Sequence, residues 1–225
     1  MKTRALFSVF LFITAVFFAG CTLLSPETET EREKKEWYFE TFDVVAIIQD
    51  QTVHFSERQK VTFRGDFDTY VRELPRTYNG GTITDIVVRD SDNELLDDVD
   101  YVVEKRGDVF EIVIELDLES SPSKTREWVI GYTLLDGISC ANGQNSFMWS
   151  VIPFPRTGGV KSLRVLVENE ETFDDLKPEV HIGGETDNQY VMPDIHTFIS
   201  VAENIPFTKE YELQLTWNSA ECEKN

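Results

Sequence analysis

The chain has 225 residues, of which 41 are Asp or Glu and 21 are Lys or Arg, giving a formal charge of −20 at pH 7. A field of that sign repels nucleic-acid phosphates and anionic lipid head groups, so it argues against nucleic-acid partners and against docking of the folded part on a membrane surface. The length fits one large β domain or two small ones, with enough chain for a sizeable core.

At the N-terminus, Lys2 and Arg4, an apolar run from Ala5 to Phe18, then Ala19, Gly20 and Cys21 form a secretion signal. The run is about 15 residues, short of the roughly 20 that a spanning helix needs. Removal of residues 1–20 is therefore expected, rather than their retention in the membrane. A cysteine directly after Ala19 and Gly20 resembles the bacterial lipobox, in which that cysteine is acylated and becomes the mature N-terminus; Phe18 departs from the usual Leu or Val. This predicts a palmitate-type anchor on Cys21 and an extracytoplasmic location at the cell membrane or outer membrane. Cleavage removes two bases, Lys2 and Arg4, and no acid, which takes the formal charge from −20 to −22. Residues 21–36 hold one proline, alternating Thr and Glu, and a charged run from Glu31 to Glu36. They read as a solvated stalk, with a span of roughly 20 Å as a flexible chain.

From Trp37 onward, residues 37–225, the pattern turns to period two, the mark of strands with one buried face. Phe110, Ile112, Ile114, Leu116 and Leu118 alternate with Glu111, Val113, Glu115 and Asp117. Trp128, Ile130, Tyr132 and Leu134 do the same, as do Leu163, Val165 and Val167, and later Tyr211, Leu213, Leu215 and Trp217. Turn residues separate the runs at Asn79 to Gly81, Ser91 to Asn93, Arg106 to Asp108, Asn142 with Gly143, Thr157 to Gly159, and Gly183 with Gly184. Crossover helices of a parallel sheet are missing. The expectation is an all-β, antiparallel, Ig-like sandwich of about ten strands. Cys140 and Cys222, an even pair in an oxidising compartment, read as a disulfide. Closing a loop of that length would stabilise the fold by roughly 4 to 5 kcal/mol.

Several short motifs lie between Phe42 and Pro75. A strand with Phe42, Asp43 and Val44 leads to Val53, His54, Phe55, Ser56 and Glu57, then to Phe63, Arg64, Gly65, Asp66 and Phe67, and then to Arg72, Glu73, Leu74 and Pro75. Tyr132, and Phe147 with Trp149, follow at comparable places. Over roughly residues 40 to 170 this resembles the extracytoplasmic N-terminal domain of the predicted membrane proteins grouped as domain of unknown function 2207. The resemblance implies a β ectodomain held at the membrane and supplies no catalytic residues. This chain departs from the family in lacking its transmembrane helices, whose place the acyl anchor would take, and in carrying the pair Cys140 and Cys222.

The candidate sites are few. Phe147, Trp149 and Phe154, among prolines and between glycine-bearing turns, could form a ligand platform, or Trp149 could be a core tryptophan. Asp90, Asp92 and Glu94 place oxygen ligands at alternate positions, as calcium asks, but Leu95 and Tyr101 break the EF-hand pattern. Neither a metal nor another cofactor is expected. Arg106, Gly107 and Asp108 spell an adhesion tripeptide, which a glycine at a tight hairpin corner explains completely. Glu57 and Arg72 could pair as buried charges joining neighbouring strands. The function expected is a non-enzymatic binding or accessory domain for an envelope protein or polysaccharide, acting through a strand edge or loop end. The alternative is an envelope hydrolase that cleaves glycans with paired carboxylates.

Overall fold

A computed structural model describes residues 35–97, 100–116, 118, 123–152, 158–219 and 222. These residues form sixteen strands in three sheets, with no helix among them. The largest sheet runs β14 (Tyr190–Asp194), β15 (Thr197–Ile205), β11 (Val160–Asn169), β1 (Glu36–Gln49), β2 (Thr52–Arg64), β8 (Ser123–Leu135), β5 (Gly81–Asp90) and β4 (Thr77–Tyr78). A five-stranded sheet runs β13 (Glu185–Asp187), β12 (Asp174–Ile182), β16 (Tyr211–Asn218), β10 (Gln144–Ile152) and β9 (Ser139–Ala141). The third holds β3 (Thr69–Pro75), β7 (Val109–Glu115) and β6 (Tyr101–Arg106).

Alternation does what period two demands. On β16, Tyr211, Leu213, Leu215 and Trp217 are buried, while Glu212, Gln214 and Thr216 between them are half-buried. On β1, Phe42, Val44, Ala46 and Ile48 face inward. Each large side chain so buried stabilises the fold by roughly 1.5 to 3 kcal/mol. One apolar core joins all three sheets. Phe55 of β2 stacks on Tyr132 of β8 at 4.8 Å and meets Trp149 of β10 at 4.5 Å, linking the large sheet to the five-stranded one. Tyr70 of β3 packs on Trp128 of β8 at 4.8 Å, linking the large sheet to the three-stranded one.

The all-β, sandwich-like character matches the expectation, and the finer picture differs from it. Sixteen strands stand where about ten were counted. The additions include β4, β9 and β13, of two or three residues each, too short for alternation to register. One pairing, β1 with β11, is parallel, and every other described pairing is antiparallel. Phe42 sits opposite Leu163 and Val44 opposite Val165. No helix is needed for this crossover, because the strands between β1 and β11 carry the chain back to the same end of the sheet. Tight turns fall where the sequence marks them: Asn142 and Gly143 take φ of 54° and 77° between β9 and β10, and Gly183 and Gly184 take 59° and 80° between β12 and β13. Positive φ at both central residues matches the twist of a two-residue hairpin.

Candidate functional site

On β2 the inward phase reads Val53, Phe55, Glu57, Gln59, Val61, so two polar residues fall where the core requires apolar ones. Glu57 is fully buried. Its partner comes from the inward phase of β3, where Arg72 lies between Tyr70 and Leu74. Arg72 clasps the carboxylate in bidentate fashion, Nη2 donating to Oε1 at 2.8 Å and Nε to Oε2 at 3.1 Å. Tyr132 OH donates to Oε1 at 2.7 Å and Gln59 Nε2 to Oε2 at 2.7 Å. Gln59 Oε1 in turn accepts from Tyr70 OH at 2.9 Å and from Trp128 Nε1 at 3.1 Å.

A buried ion pair holds only if its remaining lone pairs and protons are satisfied, and here they are. Burial by itself would weaken Arg72 as a base, and the Glu57 charge and hydrogen bonds beside it drive its pKa above the ordinary value. Burial likewise raises both phenols, and Glu57 adds to the rise at Tyr132. The pair expected from the sequence is present, but its strands belong to different sheets. It is a clasp between the large and the three-stranded sheet, closed to solvent. The four polar partners around it were not foreseen, although Gln59 at an inward position was a visible signal.

The other predicted residues separate. Phe147 and Trp149 lie on the inner face of β10, 1% and 2% exposed, and Trp149 meets Phe55, Tyr78 and Tyr132 at 4.5, 4.7 and 5.9 Å. Both rings fill core, and the Trp149 indole N–H has no partner among the described residues. Met148 between them points outward. Phe154 and Cys21 lie outside the described residues. Cys140 and Cys222 stand at disulfide distance, Cα to Cα 5.5 Å. Asp90 Oδ1 accepts from the backbone N–H of Asp92 at 2.9 Å and of Glu94 at 2.8 Å, so this carboxylate caps its own turn. Asp92 and Glu94 project into solvent, and among the described residues no three His, Cys, Asp or Glu converge to hold a metal. Arg106, Gly107 and Asp108 form the β6–β7 corner, with Arg106 paired to Glu104 and Glu111.

Two surfaces remain. The first is the β14–β15 end of the large sheet, where Val191, Ile195, Val201 and Met192 are 59, 58, 45 and 41% exposed. Val191 sits opposite Ile199, and the backbone N–H of Val201 donates to Gln189 O at 3.2 Å, which sets Val191 and Val201 on one face of the sheet's edge, while Met192 takes the next phase of β14 and Ile195 lies in the turn that follows. Pro193 and the register irregularity after Val191 blunt the strand itself. Asp194 Oδ1 accepts from the His196 backbone N–H at 2.8 Å, which holds its carboxyl below the ordinary range and fixes the turn carrying Ile195. The second is a groove of about 540 Å³ between the β4–β5 hairpin and the three-stranded sheet, lined in part by Arg76, Lys105, Phe110 and Asp85.

No family model and no curated protein matches the chain. Among solved structures it is similar to Legionella pneumophila aminopeptidase A in complex with aspartic acid, at 10% identity and a TM-score of 0.44, with 82% of this chain and 21% of that one covered. It is also similar to native leukotriene A4 hydrolase from Saccharomyces cerevisiae, at 11% identity and a TM-score of 0.46, with 80% and 29% covered. The chain thus spans under a third of either protein. Likeness at this level carries no argument about activity.

Proposed function

We propose that the protein is a lipid-anchored, extracytoplasmic binding or accessory domain of the cell envelope, seated against an envelope protein through Val191, Met192, Ile195 and Val201. The observation that carries this reading is that apolar cluster. Four large side chains, each more than two-fifths exposed, stand at one sheet end whose backbone is blunted against strand addition, Val191 and Val201 of them on the same face. A soluble surface exposes isolated apolar residues freely, whereas a contiguous group marks a contact site. Anchoring rests on the signal that ends at Cys21, and the disulfide distance between Cys140 and Cys222 suits an oxidising compartment. Glu57 and Arg72, from the motifs that resemble domain of unknown function 2207, are the clasp. This supports reading those motifs as determinants of the fold. Glycan hydrolysis gains no support from the groove, because Asp85 is the single carboxylate among its lining residues.

In-cell cross-linking of the full-length protein, followed by mass spectrometry, tests the reading. A membrane protein captured by the wild type should be lost with Cys21→Ser, and lost again with Val191→Ser combined with Ile195→Ser. Equal capture by the double variant would remove the cluster from the interface, and equal capture by Cys21→Ser would remove the anchor from the function.

A further inference from the structure

The chain carries 41 acids against 21 bases, and several of its described cations are engaged with acids. Arg58 pairs with Glu127, Arg72 with Glu57, Arg106 with Glu104 and Glu111, Lys161 with Glu40, Lys177 with Asp175 and Lys209 with Glu185. In the groove beside the three-stranded sheet two cations come together without such a partner. Lys105 stands directly across from Phe110 in the β6–β7 ladder, its Nζ 5.8 Å from the ring centroid. Arg76 Cζ approaches the same ring at 6.0 Å. Neither cation has an ion pair among the described residues, and Arg76 spends one N–H on Gly107 O at 3.1 Å. Two unpaired cations converging on one ring, within a field of opposite sign, leave a local positive site that an anion would neutralise.

The rest of the groove narrows what that anion is. Thr77 and Thr82 sit opposite one another in the β4–β5 ladder, both exposed and with hydroxyls that make no hydrogen bond among the described residues. Thr84, two positions along, donates to Asp85 Oδ2 at 2.9 Å. Asp85 takes φ of 54° at the register shift between Thr84 and Val87, a bulge that turns its carboxylate toward the groove. A non-glycine residue held in that conformation at a bulge is a recurrent mark of functional sites. The carboxylate opposes a compact, fully charged anion such as phosphate, and it accepts hydrogen bonds from ligand hydroxyls. Two cations, one acceptor, two hydroxyls and the face of an aromatic ring together match a sugar acid, which has one carboxylate, several hydroxyls and a C–H face. A volume of about 540 Å³ is room for a short saccharide.

We infer that this groove binds a carboxylate-bearing saccharide, a uronate residue of an acidic polysaccharide. Lys105 and Arg76 hold its carboxylate, Thr77, Thr82 and Asp85 meet its hydroxyls, and Phe110 lies under the ring. The inference goes beyond the protein contact proposed at the β14–β15 edge and does not depend on it.

The test is calorimetric titration of the full-length lipidated protein in detergent micelles. The probes are oligogalacturonate, oligoglucuronate, their methyl esters, and inorganic phosphate. Binding of an acidic oligosaccharide is expected, weakening as salt rises. Its methyl ester should bind at least tenfold more weakly, as should the acid to Lys105→Gln or Arg76→Gln, each of which removes a charge-assisted hydrogen bond. Both variants replace exposed side chains and keep the thermal midpoint of the wild type, so weaker binding is not unfolding. The inference is overturned if neither acid binds, if ester and acid bind alike, if the two variants bind like the wild type, or if phosphate competes as tightly as the sugar. Loss of cross-linking by the edge variant with sugar binding intact separates the two sites.

Discussion

Arg72 and Arg76 lie four residues apart and live in opposite surroundings. Arg72 falls on the inward phase of β3 and ends against Glu57, with Tyr132 and Gln59 completing the carboxylate's hydrogen bonds. Arg76 follows Pro75 at the end of the strand, where the phase no longer directs it to the core, and its guanidinium reaches the edge of a groove with no ion pair among the described residues. The same side chain is thus a structural element in one place and an available charge in the other. What decides is strand phase, because a position facing inward must bring its counter-charge with it or shift its protonation.

The largest effect that would break this comparison is expected at the clasp. Arg72→Met leaves Glu57 buried without its counter-charge and should cost about 3 to 5 kcal/mol in urea denaturation. Removing both charges, as Glu57→Leu with Arg72→Leu, should cost less than either single change. A single variant as stable as the wild type would mean that the clasp does not hold the sheets together. An intermediate case sharpens the contrast: Asp43 on β1 is half-buried, and burial raises its pKa, against the opposing pull of Arg164 and Arg58. Its folded state therefore holds the proton more tightly than the unfolded chain. The stability that this contributes is present at acid pH and lost as pH rises through the ordinary aspartate range toward the raised value. Asp43→Asn should accordingly raise the thermal midpoint at pH 7, with the gain shrinking on acidification. The smallest effect belongs to Arg76→Gln, which should leave stability within about 0.5 kcal/mol of the wild type. A larger loss would make Arg76 structural after all.

Much of the fold is legible in the chain because period two is a local signal. The runs ending in Leu134 and Trp217 become β8 and β16 with the buried residues that the alternation names. The parallel pairing of β1 with β11 is not legible, since nothing near Phe42 points to Leu163. β14, interrupted by Pro193, hides for a local reason, and the two- and three-residue strands for want of length. At the clasp, Glu57 and Arg72 could be named as a pair, whereas Tyr70, Trp128 and Tyr132 join it from other strands through tertiary packing. The groove is not legible, because Lys105 and Phe110 are set face to face by the β6–β7 hairpin while Arg76, Thr77 and Asp85 reach it from other strands and turns.

The β1–β11 pairing also sets a timetable. Phe42 meets Leu163, 121 positions later, so a chain emerging N-terminus first completes the β1–β2 hairpin long before the other side of β1 has a neighbour. Such long-range closure slows folding, and throughout the interval a fourteen-residue strand offers an open backbone edge to any other chain. Protection of that edge until Leu163 arrives is a demand that the finished form no longer reveals.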